Sequence, residues 1–255
     1  RDVERSRGLG DVYKRQAIDI GSNAVRMSIC YVLMNEDEYF FQKNQYIRLP
    51  LRLGEDSFIT GSISDDKINT LSNALLSFKH TMKVHGVEHY QIYATSALRD
   101  SKNSNDVIKQ IYDLTGMKIK LIDGLKEAKV IAMGNPIEKL DVNKTYLYVD
   151  VGGGSTEYSI VRGSDDKKSK SFNIGTVRLI NNLVDELVFE EVKEWINENI
   201  DDESKLKVFA TGGNINKIQD MTRTKSGKPI SYLSIKDLYN NLLDEDINYR
   251  LMKYS

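Results

Sequence analysis

Positions 17–20 and 24–32 are mainly apolar, with the polar turn Gly21-Ser22-Asn23 between them. That pattern predicts two strands joined by a tight turn in which Gly and Asn tolerate positive φ. A third extended run covers 38–53. Beyond it, Ile68, Leu71, Leu75, Phe78 and Met82 recur at helical spacing between Ser64, a natural N-cap, and Gly86, and Asp65 and Asp66 sit in the first turn. Residues 90–95 predict a strand, 106–114 an amphipathic helix stopped by Gly116, 118–123 another strand, and 125–133 a short helix carrying Ala128, Ile131 and Ala132. Strands alternating with helices indicate an α/β fold. The polar connector 135–144, with Pro136, marks a boundary between two lobes, 17–141 and 142–255. Residues 1–16 show no periodicity and no initiator methionine, and read as a non-native leader.

The second half opens as the first does. Laid without a gap over YVDVGGGSTEYSI (148–160), AIDIGSNAVRMSI (17–29) aligns Asp19 with Asp150, Gly21 with Gly152, Ser28 with Ser159 and Ile29 with Ile160. A duplicated strand-turn-strand unit is the economical explanation.

Each turn follows an aspartate at a strand end, a residue suited to a hard cation directly or through water. Successive Gly and Ser residues let backbone amides converge on one phosphate, so two facing turns would clamp a phosphate chain. Alone, Gly152-Gly153-Gly154-Ser155 fits a plain tight turn equally well; the repeated acid favours phosphate. Arg99, just past a strand end, either offers its planar fork to a phosphate or pairs on the surface with Asp100. Thr95 and Ser96 add neutral donors or cap a turn. Gly212 and Gly213 stand between a strand and a helix, as an anion site at a helix start or as a close-packing turn.

Lysine plus arginine (36) nearly balances aspartate plus glutamate (37), so no global field draws in nucleic acid or an anionic membrane. No apolar run is long enough to span a bilayer. The one cysteine, Cys30, has none to pair with, and a reducing cytoplasm is the simplest setting.

Five ordered segments carry a resemblance to a known family: AIDIGSNAVRM, ATSALRDSKN, IDGLKEAKVI, YVDVGGGSTE, and the pair FNIGTVRL with ATGGNINKI. The chain resembles the Ppx/GppA phosphatases, exopolyphosphatases and guanosine-pentaphosphate phosphohydrolases of the actin-like ATPase superfamily. The resemblance implies two actin-like, ribonuclease H-like lobes around a central cleft. It implies Glu127 as the base that activates water, and Asp150 and Glu157, with Asp19, as acids that position Mg²⁺ or Mn²⁺. It also implies phosphate contacts from Ser22, Asn23, Arg99, Gly153, Gly154 and Ser155. The expected substrate is polyphosphate or guanosine pentaphosphate, and the sequence leaves open which; a homodimer is carried as an open partner assignment. Relatives often have a glutamate where Lys126 stands, and such a lysine is expected to stabilise the Glu127 carboxylate and weaken it as a base. Asn214 replaces a common threonine, and the chain stops at Ser255 before a C-terminal segment relatives usually have. An actin-like small-molecule kinase and a non-catalytic alarmone or nucleotide sensor are the competing functions.

Overall fold

A computed structural model describes residues 12–35, 38–87, 89–124, 126–127, 141, 143–162, 166–201, 206–225 and 228–254. In lobe I, strands β1 (Val12–Ile20), β2 (Val25–Asn35), β3 (Glu38–Leu49), β4 (His89–Ala94) and β5 (Lys120–Leu121) form a sheet in the order β3-β2-β1-β4-β5. In lobe II, β6 (Thr145–Val151), β7 (Thr156–Arg162), β8 (Asp166–Phe172) and β9 (Leu206–Thr211) form a second sheet, β8-β7-β6-β9. Each sheet has an antiparallel meander whose first strand also pairs in parallel with the strand that follows the helical excursion, β1 with β4 and β6 with β9. The duplication read in 13 residues therefore extends to the topology of both lobes.

The helices of lobe I are α1 (Leu53–Ile59), α2 (Asp65–Val84), α3 (Ser96–Arg99) and α4 (Ser104–Thr115). The Ser64 hydroxyl caps α2 by accepting from the Lys67 amide, and Ile68, Leu71, Leu75, Phe78 and Met82 are buried along one helix face. They join Ile18, Ile20, Met27 and Ile92 of the sheet and Val107 and Ile111 of α4 in one continuous core. Burying each such side chain contributes about 1.5–3 kcal/mol. Lobe II adds α5 (Thr176–Ile180), α6 (Leu187–Asn199), α7 (Gly213–Met221), α8 (Tyr232–Asp244) and α9 (Ile247–Tyr254). Its interior is divided into smaller groups, among them Phe172, Ile174 and Val192 with Trp195 packed against them.

Several boundaries differ from those read in the sequence. β1 starts at Val12 rather than Ala17: residues 12–16 pair with Cys30–Leu33 and Ile29 of β2, and the backbone ladder holds a stretch with no apolar alternation. β3 ends at Leu49, before Pro50, and Leu53 begins α1 after Arg52 in the left-handed conformation (φ 53°). The turns after Asp19 and Asp150 use no positive φ. Their glycines are required for room, since a Cβ on Gly21 would lie 3.2 Å from the Ala24 carbonyl and one on Gly152 2.9 Å from that of Ser155. The helix expected over 125–133 lies outside the described residues except for Lys126 and Glu127, and so does most of the connector at the lobe boundary.

Candidate active site

The two related turns are closed by the same bond: the Gly21 amide donates to Ala24 O (3.1 Å) and the Gly152 amide to Ser155 O (2.9 Å). Asp19 and Asp150, at the strand ends before them, line one cavity of about 390 Å³ together with Glu127, Arg26, Tyr46, Tyr93 and Lys126. A second cavity of about 510 Å³ adjoins it and shares Arg26 and Asp150. Its wall is polar: Asn23, Arg48, Gly152, Gly153, Thr176, Gly212, Gly213 and Asn214.

Strand register explains the charge pattern. Asp19 faces Arg26 across β1 and β2, and Asp150 faces Glu157 at the corresponding place across β6 and β7. Lobe I therefore carries an ion pair, Arg26 Nη1 to Asp19 Oδ2 at 2.7 Å, where lobe II carries two acids. Glu157 is buried and its Oε1 accepts from the Ser155 (2.5 Å) and Ser171 (2.9 Å) hydroxyls, yet burial still raises its pKa. Thr211, beside Asp150 in the parallel register, donates its hydroxyl to Asp150 Oδ1 at 2.5 Å. Burial also raises the Asp19 carboxyl despite Arg26.

Glu127 is a strongly perturbed acid of the site. Burial first, then the charges of Glu157 and Asp19, push its pKa up to about 8, against a lowering by Arg99. Among the described residues its Oε2 is buried without a hydrogen-bond partner. The expectation that Lys126 would make this carboxylate a weaker base is corrected: the net shift is upward, and the Lys126 ammonium lies over the Tyr93 ring, 5.8 Å from its centroid, and is not among the main groups that shift Glu127.

Other expected residues sit elsewhere. Ser22, Gly154, Ser155, Arg99 and Glu157 are not among the lining residues of either cavity. Ser22 and Gly154 meet between the lobes, where Ser22 Oγ is 2.9 Å from Ser96 Oγ and a Cβ on Gly154 would lie 2.3 Å from the latter. Arg99 does not present a free fork, because Nε donates to Asp100 Oδ1 and Nη1 to Ile122 O, both at 3.0 Å. Gly212 (φ 109°) and Gly213 line the polar cavity at the start of α7. The sequence reading missed Arg26, Arg48, Tyr46 and Arg178. A signal existed for Arg26, which aligns with Glu157 in the duplicated unit.

The chain is similar to known proteins in both fold and sequence. A solved exopolyphosphatase-like protein matches with a TM-score of 0.79 at 22% identity, over 96% of this chain and 82% of that one. An exopolyphosphatase of Cytophaga hutchinsonii matches with a TM-score of 0.75 at 20% identity, over 93% and 82%. These establish the two-lobed actin-like fold. In sequence, the bifunctional 3-dehydroquinate synthase/phosphatase of Fusobacterium nucleatum is 31% identical over 94% of this chain and 39% of its own length. Exopolyphosphatase 2 of Mycobacterium tuberculosis is 31% identical over 64% of this chain and 52% of its own. A guanosine-5'-triphosphate,3'-diphosphate pyrophosphatase of Photobacterium profundum is 29% identical over 63% and 31%. The chain thus spans between about a third and a half of the length of these relatives. The pattern of the Ppx/GppA phosphatase family matches residues 33–242, most of the chain, and the chain belongs to that family.

Proposed function

We propose that this chain carries the catalytic cleft of a phosphoanhydride hydrolase, releasing terminal orthophosphate from polyphosphate or guanosine pentaphosphate. One observation carries the reading: the Glu127 carboxyl, with a buried and unpartnered Oε2, shares a cavity with Asp19 and Asp150, next to a polar cavity walled by glycine turns and two arginines. Phosphates suit the polar cavity, where Asn23, Gly153, Gly212 and Gly213 offer backbone groups and Arg26 and Arg48 supply charge. The attacking water would sit beside Glu127, Asp19 and Asp150 in the other cavity. Its oxygen bonds to the terminal phosphorus, the bridging P–O bond breaks toward the remaining chain, and Glu127 takes the water's proton. The names of two relatives, an exopolyphosphatase and a pyrophosphatase, support the same class. The lone Cys30 supports a cytoplasmic setting, and no described helix is long and apolar enough to cross a membrane.

The donor set fits a divalent cation. The charges of Glu157, Asp19 and Asp150 raise the Glu127 carboxyl, and that of Asp150 also raises Asp19 and Glu157, which positive charge would relieve. Among the described residues no three acids are grouped to hold one ion. Magnesium nevertheless binds with one or two carboxylates and several retained waters. Asp150 and Asp19, supported by Glu157, would hold Mg²⁺ or Mn²⁺, which would supply charge neutralisation at the phosphoryl oxygens.

The test is orthophosphate release from each substrate with Mg²⁺ and no acceptor. Release supports the hydrolase. Transfer of phosphate to an added small-molecule acceptor in its place would support a kinase, and tight nucleotide binding without turnover a sensor.

A further inference from the structure

The carbonyl oxygens of the Gly152-Gly153-Gly154 turn are taken in order by three consecutive residues of α5. The Thr176 amide donates to Gly152 O (3.1 Å), the Val177 amide to Gly153 O (2.8 Å), and Arg178 Nε to Gly154 O (2.8 Å). With its carbonyls held on one side, the turn leaves its amides to the other. Among the described residues no acceptor takes the Gly153 or Gly154 amide, and Gly152 and Gly153 line the polar cavity.

Lobe I repeats the device with a difference. The Gly54 amide donates to Ser22 O (2.8 Å) and the Arg52 amide to Asn23 O (2.9 Å), both from the start of α1. In the duplicated alignment Ser22 corresponds to Gly153 and Asn23 to Gly154. Where lobe I uses a backbone donor on Asn23, lobe II uses the Arg178 side chain. That substitution frees the other end of the guanidinium to cross between lobes: Nη2 donates to Asp100 Oδ2 at 2.8 Å, and the group lies over the Phe58 ring, 4.0 Å from its centroid. The other oxygen of Asp100 holds Arg99 Nε at 3.0 Å.

We propose that Arg178 is the positioning residue of this cleft, fixing the glycine turn with its amides toward the phosphates and, through Asp100, setting that turn in register with Arg99 of the other lobe. A lysine does not replace it, because one ammonium cannot reach the Gly154 carbonyl and Asp100 in the same planar geometry while stacking on Phe58. The inference rests on the hydrolase reading for what the turn grips, though not for how the turn is held, so its test reads both.

Hydrogen exchange of the Thr176 and Val177 amides, followed by NMR, reads the clamp without any ligand. Arg178→Ala and Arg178→Lys should each speed it by about tenfold or more, the equivalent of one lost charge-assisted bond. Calorimetric binding of inorganic tripolyphosphate with Mg²⁺ should weaken by a similar factor in both variants. Asp100→Asn, which keeps one acceptor, should weaken it less. Arg162→Ala, which removes a donor to the Asn199 carbonyl away from the cleft, should lower the thermal midpoint and leave tripolyphosphate affinity unchanged. Wild-type exchange rates in both Arg178 variants would overturn the proposal. So would wild-type tripolyphosphate affinity accompanied by a loss of stability like that of Arg162→Ala. If the wild-type protein neither binds tripolyphosphate nor releases orthophosphate, the hydrolase reading fails, and the exchange rates alone still decide the role of Arg178.

Discussion

Glu127 shows how one residue sets function against stability. A carboxyl with a folded pKa of about 8 and an ordinary unfolded value holds its proton more tightly in the native state. Its contribution to stability is complete below the unfolded pKa of about 4.3 and is lost as pH rises through about 8. Glu127→Gln removes that loss. We expect its thermal midpoint at pH 8 to exceed that of the wild type, with the difference vanishing near pH 4, while turnover falls about 10²- to 10⁴-fold as for a removed general base. Because the base form is required, kcat/KM of the wild type should climb with pH on a limb ending near 8, and Mg²⁺ should move that limb to lower pH. A pH-independent rate in this range would take the base role from Glu127. Asp19 and Asp150 were legible in the sequence because the repeat put both before the same turn. Arg48 and Tyr46 were not, since they reach the cleft by pairing of β3 with Arg26 and Ser28 of β2. That register shifts at a bulge between Ile29 and Cys30, which no periodicity reveals. The surroundings of Glu127 were equally unreadable, because the cavity it shares is lined by Asp19, Tyr46, Tyr93 and Asp150, residues distant in sequence.

At the scale of elements, the glycine turns owe their shape to close contacts more than to backbone freedom. Gly212 is the exception that needs both: its φ is 109° and a Cβ there would lie 2.4 Å from the Val151 carbonyl. Gly213, the next residue, has nothing within 4 Å of the same position. Gly212→Ala should therefore cost about 2 kcal/mol or more through strain and clash, a fall of ~4–8 °C in thermal midpoint. Gly213→Ala should stay within about 0.5 kcal/mol of the wild type. Equal midpoints for the two variants would refute this account of the turn. Elements were legible in proportion to their length. α2 announced itself through five core residues at helical spacing, whereas α1 and α3 are too short to show a period and are fixed by distant bonds, such as that from the Gly54 amide to Ser22 O. β1 was read five residues too short because ladder pairing to β2, joined at Arg15 and Gln16 by pairing to β4, holds residues whose sequence shows no apolar alternation.

For the molecule as a whole, the duplication has produced lobes of one topology and unequal cores. Lobe I closes α2 and α4 over its sheet in a single cluster, with Phe78, Leu71, Leu75 and Ile111 fully buried. Among the described residues, lobe II has its clustered buried hydrophobics in three groups of three, and Val208 and Phe209 of β9 remain substantially exposed. Local opening follows the density of buried apolar contacts, so lobe II should open first. Native-state hydrogen exchange should find the slowest amides in β1, β2 and α2, with those of β6 and β7 exchanging about tenfold faster or more. The lobes are nonetheless joined beside the site, by Arg178 with Asp100 and by the close approach of Gly154 to Ser22 and Ser96. A ligand gripping both turns would bind the closed form alone and stabilise it by about 2.7 kcal/mol at a hundred times its Kd. Tripolyphosphate with Mg²⁺ should therefore slow exchange in β6, β7 and α5 far more than in α2, bringing the two lobes toward a common rate. Uniform exchange in the free protein would show that the divided core does not weaken lobe II. Ligand protection confined to lobe I would mean that the turns do not close on one phosphate chain.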